Sequence, residues 1–228
     1  MKTTNGFTLI EMAMVLVVLG LLLGGLLGPL TTQLEQTRRH KADADLEEIR
    51  LALSGHALLH GRLPCPADGR DGREARLPDG SCATPPTSHD RTIIGVLPWE
   101  TLGVGRFDPW GNRYTYAVDP VFTQAASGTP DNRLGRLQVR FGVDATPAVF
   151  LSHGPNGPQE QENANHDAIF SLDDPATAGF DDHVLWLSPY LLHHLLRSGA
   201  RLHKEEQTTP PPERTRPEPA SPSSNSRS

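Results

Sequence analysis

The chain has 228 residues, room for one anchor-length helix and one globular domain but hardly for two domains with sizeable cores. Hydrophobic residues make up 36% and aromatics 6%, and the 21 Gly and 21 Pro argue against a bundle of long helices beyond the N-terminus. A formal net charge of −6 excludes a general attraction for nucleic acid phosphate; the one basic cluster, Arg38-Arg39-His40-Lys41, reads as a solvated helix face.

From Met12 to Leu30 the chain carries 19 consecutive residues without a charge. As a helix rising about 1.5 Å per residue they span roughly 28 Å, close to the ~30 Å of bilayer hydrocarbon. Phe7 to Ile10 extend the run. A secretory signal places its small-residue cleavage site after the apolar stretch. Here Gly6 precedes it, so a cut at Gly6 leaves the apolar helix on the mature chain. Glu11 is a lone carboxylate in this setting and needs either a partner or access to water. After a cut at Gly6, Phe7 would be the amino terminus, four residues from Glu11 on one helix face. Two readings of Glu11 follow: it snorkels to the interface, or it pairs with the Phe7 amine of a neighbouring subunit. Gly20, Gly24, Gly25, Gly28 and Pro29 make the second half of the run easy to bend and to pack closely.

Gly6-Phe7-Thr8-Leu9-Ile10-Glu11, behind a short leader with Lys2, resembles the class III prepilin signal of type IV pilins and type II secretion pseudopilins. The resemblance implies cleavage between Gly6 and Phe7, N-methylation of Phe7 by the prepilin peptidase, and a role for Glu11 in subunit registration. It also implies a single-pass protein of the bacterial inner membrane with its C-terminal domain in the periplasm. Its other implied partners are further pilins or pseudopilins and an inner-membrane assembly platform. The positive-inside rule points the other way, with Lys2 on one flank and Arg38, Arg39 and Lys41 on the other. The leader motif outweighs it, because the peptidase reads that motif on the cytoplasmic face.

From Thr31 to about His60 the pattern stays helical and becomes amphipathic, with Leu34, Ala42, Leu46, Ile49, Leu53 and Ala57 forming a stripe. Gly61 and Pro64 end it. His56 and His60 stand four apart, but no Glu completes an H-E-x-x-H pattern. Residues 64–92 form a loop region holding Cys65 and Cys82, 17 residues apart. A disulfide between them would contribute about 3 kcal/mol and needs an oxidising compartment such as the periplasm. The run from Asp68 to Glu74 lacks the alternating acids of an EF-hand and reads as a solvated turn. Five strands are expected, over Thr92–Val96, Arg113–Val118, Leu137–Phe141, Ala148–Ser152 and Val184–Leu187. A last amphipathic helix is expected from Pro189, capped by Ser188, to about His203. From Gln207 onward 6 of 22 residues are Pro and only Ala220 is apolar, a disordered composition.

Asp108-Pro109-Trp110-Gly111-Asn112-Arg113-Tyr114 resembles the D-P-W-G-N-x-Y segment of pseudopilin domains. Ser152-His153-Gly154-Pro155-Asn156-Gly157 resembles their S-x-G-x-N/D-G turn. Asp181-Asp182-His183-Val184-Leu185-Trp186-Leu187-Ser188 resembles the D-D-x-V-x-W-x-S segment of a pilin-like subgroup. Major pseudopilins of type II secretion bind calcium in a loop near the C-terminus. The resemblance therefore makes Ca²⁺ a candidate cofactor, with Asn165, Asp167, Asp181 and Asp182 as candidate ligands and Asn163, Asp173 and Asp174 as further oxygen donors. The intervening insertion is longer than the family's loop.

No G-x-S-x-G, P-loop or G-x-G-x-x-G occurs, so the chain reads as a structural protein and not an enzyme. The expected fold is α+β: a long N-terminal helix, half transmembrane and half amphipathic, packed on a small, mainly antiparallel sheet. The expected parts are a leader at 1–6, a transmembrane helix at 7–30, a periplasmic pilin-like domain at 31–205 and a disordered tail at 206–228. The expected function is that of a structural subunit of a type II secretion pseudopilus or a minor type IV pilin. The alternative, motivated by the loops at 64–92 and 155–182, is a filament-borne adhesion or ligand-binding module.

Overall fold

The computed structural model of the chain describes residues 8–87, 91–125, 134–158, 161–172 and 179–208; within these, side chains are described except at 23–30, 161–162, 203 and 205–208. In chain order the elements are α1 (Leu9–His60), β1 (Ile93–Val96), α2 (Trp99–Leu102), β2 (Thr115–Val118), a 3₁₀ turn (Pro120–Phe122), β3 (Leu137–Arg140), β4 (Val143–Thr146), β5 (Ala148–Ser152), α3 (Gln161–Ala164), β6 (Ile169–Ser171), β7 (His183–Trp186) and α4 (Pro189–Thr208).

The 52 residues of α1 make one helix about 78 Å long. Thr8 caps it, with Oγ1 accepting from the Glu11 N–H at 3.4 Å. Gly61 ends it in the left-handed conformation (φ 66°), its N–H donating to the Ala57 carbonyl, a conformation that favours glycine. Pro29 is accommodated within the helix without terminating it. The amphipathic stripe is as the spacing predicts at Ala42, Leu46, Ile49, Leu53 and Ala57, which are all buried. Leu34 departs from it and is 55% exposed. The reason is placement: the first buried stripe residue is Ala42, two turns further along the helix.

The strands form two sheets. The first, in order β1-β2-β5-β7, is antiparallel throughout. The second, in order β4-β3-β6, pairs β3 with β4 antiparallel and with β6 parallel. The first sheet is the middle layer. Tyr116, Val118, Ala148 and Phe150 join the core with Leu46, Ile49, Leu53 and Ala57 of α1 and Leu192 and Leu196 of α4. The alternate residues Ala117, Val149 and Leu151 join Leu137, Val139 and Phe170 of the second sheet. The period-2 alternation of strand side chains sends each set to its own face. Being covered on both sides, β5 is buried at all five positions.

The helices cross where Gly199 of α4 meets α1. A Cβ built on Gly199 would lie 2.2 Å from the Leu58 carbonyl oxygen, so only glycine allows this approach. Cys65 and Cys82 are joined in a disulfide that closes the 65–82 loop. That loop is fastened further by Glu74, whose carboxylate takes Arg62 Nη1 and Nη2 at 2.8 and 2.7 Å and the Cys65 N–H at 3.2 Å.

All five expected strands are present, Ala148–Ser152 with the expected ends and the others with ends shifted by one or two residues. Two strands, β4 and β6, were not expected, and they are what complete a second sheet where one was anticipated. Helix α4 runs to Thr208, beyond the expected helix end near His203 and the expected domain end at 205. The rest of the expected tail, 209–228, lies outside the described residues.

Candidate functional site: the uncovered helix and its junction with the head

Gly6 and Phe7 lie outside the described residues. Glu11 is in the first turn of α1, where a carboxylate is favoured by the helix dipole. From Leu9 to Leu22 every side chain of α1 is exposed, with Leu9 at 90%. The head covers none of them. Ile10, Met12, Met14, Val15, Leu16, Val17, Val18, Leu19, Leu21 and Leu22 thus present a continuous apolar surface, larger than monomers normally leave in water. The described residues contain no helix long and apolar enough to cross a membrane.

Below this uncovered length, the head grips α1 through the D-P-W-G-N turn. Asp108 Oδ1 accepts from the backbone N–H groups of Trp110 and Asn112 at 3.0 and 2.7 Å. Gly111 completes the turn at φ 93°. The turn is tied to the neighbouring S-x-G turn twice: Ser152 Oγ donates to Asp108 Oδ2 at 2.6 Å, and Asn112 Nδ2 donates to the Gly154 carbonyl at 2.7 Å. Held this way, Trp110 reaches α1, its Nε1–H donating to Glu35 Oε2 at 3.3 Å. The indole also lies against the His183 ring, with centroids 5.7 Å apart. His183 Nδ1 in turn meets Asp43 Oδ1 at 2.7 Å. A few residues on, the Tyr114 hydroxyl donates to Asp45 Oδ2 at 3.2 Å. Burial, reinforced by the Asp45 carboxylate, holds that hydroxyl well above the usual tyrosine range, so it stays a donor. Glu35, Asp43 and Asp45 thus take polar contacts from the head, Asp43 and Asp45 from opposite flanks of the buried stripe.

The sequence marks Trp110 within the D-P-W-G-N segment but does not mark Glu35, Asp43 and Asp45 as the partners on α1 of Trp110, His183 and Tyr114. One signal was present: Glu35 stands seven residues, about two helical turns, before Ala42 and so lies in line with the buried stripe.

The D-D-x-V segment leads into β7 and carries a second polar cluster. Asp182 Oδ2 accepts from Asn163 Nδ2 at 2.8 Å, and Asp182 Oδ1 faces His153 Nδ1 at 3.5 Å. His153 Nε2 is 2.8 Å from Thr115 Oγ1. Asn163 also bonds the Ser171 backbone at both ends, taking its N–H at 2.8 Å and giving to its carbonyl at 3.1 Å. Asp181 Oδ2 accepts from the Asn156 N–H at 3.3 Å, and burial pushes the Asp181 carboxyl upward, with the charge of Asp182 adding to the effect. Of the other candidate calcium ligands, Asn165 and Asp167 bond each other in their own turn at 2.9 and 3.0 Å. Asp173 and Asp174 lie outside the described residues. Among the described residues no group of three or more His, Cys, Asp or Glu side chains is placed to hold a metal ion. Ser152 and His153, adjacent in sequence, turn to Asp108 and Thr115 respectively, so they do not form a nucleophile–base couple.

One long helix, bare and apolar at its start and capped by an α+β head, is the build of a type IV pilin-like filament subunit. Residues 1–27 match the family model of the prokaryotic N-terminal methylation motif. The type II secretion system core protein G of Aeromonas hydrophila is 32% identical over 114 residues, which cover 50% of this chain and 72% of that protein. The chain belongs to the pseudopilin family of type II secretion represented by that protein. No solved structure matches it.

Proposed function

We propose that the chain is a structural subunit of a type II secretion pseudopilus whose anchor is the N-terminal part of α1. The single observation that carries this is the uncovered apolar surface from Leu9 to Leu22 within the methylation motif at 1–27. In the precursor the helix is held in the inner membrane with the head in the periplasm. Cleavage after Gly6 and methylation of Phe7 by the prepilin peptidase release a subunit that joins other pseudopilins on an inner-membrane platform. In the assembled bundle, Glu11 meets the Phe7 amine of a neighbour, which offsets the burial of its charge. The Cys65–Cys82 disulfide supports export to an oxidising compartment. The reading makes the chain mechanical, with no catalytic step.

The second sheet favours one elaboration. It covers the face of the first sheet that points away from α1, which a bare scaffold does not need, and so supports the alternative of a ligand-binding head on the same stalk.

The test is Glu11→Ala in the full chain. The variant is expected in the membrane at the wild-type level, cleaved after Gly6, yet absent from sheared or cross-linked filaments. Normal incorporation of Glu11→Ala would overturn the pairing.

A further inference from the structure

His56 and His60 stand four residues apart, and in the structure that spacing becomes a contact. The two rings lie with centroids 4.3 Å apart and planes tilted by 49°. Both belong to the final turns of α1, which ends at His60.

The surroundings of His56 decide which of its nitrogens is available. Nδ1 is 3.1 Å from the Arg62 carbonyl oxygen. A carbonyl only accepts, so Nδ1 carries the hydrogen and donates it. The neutral ring then has its lone pair on Nε2. That nitrogen makes no hydrogen bond among the described residues and keeps some contact with solvent. Burial disfavours a second proton on the ring, and the charges of His60 and Arg62 add to the effect. A backbone carbonyl on one ring nitrogen and an open lone pair on the other is the arrangement that orients a histidine as a metal ligand.

His60 supplies the second nitrogen. It is exposed, and its ring makes no hydrogen bond among the described residues, so it is able to turn toward an ion held by His56. Two nitrogens bound to one metal at about 2.0–2.1 Å lie roughly 3 Å apart, within reach of rings this close. The place also suits a cation. The carbonyl end of a helix carries a partial negative charge that favours cations in the last turn. The positive charge beside the pair, Arg62, is already taken up by Glu74 through bonds of 2.8 and 2.7 Å.

We infer that His56 Nε2 and His60 together bind one divalent transition ion of the Zn²⁺ and Cu²⁺ class, with water completing its shell. Ca²⁺ and Mg²⁺ require oxygen donors and do not suit two imidazoles. With only two protein ligands the ion is exchangeable. Bound there, it ties the last turn of α1 together beside the Arg62 carbonyl, where the chain enters the disulfide loop. The inference goes beyond the pseudopilus role and is independent of it, because the Glu11 variant reads assembly while this pair acts at the far end of α1.

The experiment uses the full chain in detergent, stripped with EDTA and then freed of it. Zn²⁺ titration calorimetry should show saturable binding of one ion per chain, and saturating Zn²⁺ should raise the melting temperature by a few degrees. Cu²⁺ in place of Zn²⁺ should give an electron paramagnetic resonance spectrum with nitrogen coupling. His60→Ala should melt within about 2 °C of the wild type without metal, since the residue is exposed. It should lose the Zn²⁺-dependent rise and at least about tenfold in affinity. His194→Ala, at an exposed position on α4, should bind as the wild type does. No saturable heat in the wild type, or equal Zn²⁺ affinity in the wild type and His60→Ala, overturns the inference. So does an equal loss in His194→Ala. If His60→Ala is destabilised without metal, His60→Gln, which keeps a polar side chain but no imidazole, gives the same reading.

Discussion

Glu74→Gln is the substitution whose cost can be worked most fully. Glu74 sits beside the Cys65–Cys82 disulfide, takes two hydrogen bonds from Arg62 and one from the Cys65 N–H, and lies within 3.4 Å of Arg76. Burial alone would raise its pKa; the Arg62 hydrogen bonds, the Cys65 N–H and the two arginine charges prevail and bring it from 4.5 down to about 2. At about 1.36 kcal/mol per pKa unit that difference corresponds to roughly 3 kcal/mol. The side chain is still 19% exposed, so solvent screening reduces the estimate, to about 1–2 kcal/mol. The sign follows from the lowered value. The contribution is fully present above the unfolded pKa near 4.5 and is lost as pH falls toward about 2. Urea unfolding of the full chain in detergent, followed by tryptophan fluorescence, should show Glu74→Gln less stable by about 1–2 kcal/mol at pH 7. The gap to wild type should shrink steadily below pH 4. An equal gap at pH 7 and pH 2.5, or none at pH 7, would refute the account of this loop.

Two other substitutions probe the head–helix packing. Trp110→Phe keeps the ring but removes the donor to Glu35, and should cost about 1 kcal/mol in the same unfolding assay. Trp110→Ala also removes the contact with His183 and should cost about 2–4 kcal/mol; equal effects of the two would show that the indole N–H alone matters. Gly199→Ala places a methyl group 2.2 Å from the Leu58 carbonyl oxygen and should cost at least about 1–3 kcal/mol by forcing α4 off α1. A neutral Gly199→Ala would mean that the helices do not cross there.

Much of this fold is legible in the sequence because its strongest signals are long. The apolar run and the stripe from Ala42 to Ala57 each extend over many residues, enough for a helical period to stand out. The second sheet is not legible in the same way. Its strands β4 and β6 have four and three residues, and Asp144 and Ser171 break their apolar character. One clue was present: Ala148-Val149-Phe150-Leu151 shows no alternation, which is how a strand covered on both faces reads. At the junction, Trp110 is conspicuous, but its partners on α1 are ordinary exposed-type acids that only the tertiary placement brings to it. The same holds for His153. Adjacent to Ser152 in sequence, it draws attention as half of a reactive pair, whereas its contacts are with Thr115 and Asp182.

The central claim is that this chain is a processed subunit whose N-terminal helix is kept, and the mass of its mature N-terminus tests that most directly. The protein is extracted from membranes of cells with and without the prepilin peptidase and examined by mass spectrometry. With the peptidase present the account predicts a chain beginning at methylated Phe7, and without it a chain that keeps Met1 and the leader through Gly6. An intact leader and an unmethylated Phe7 in the presence of the peptidase would contradict it.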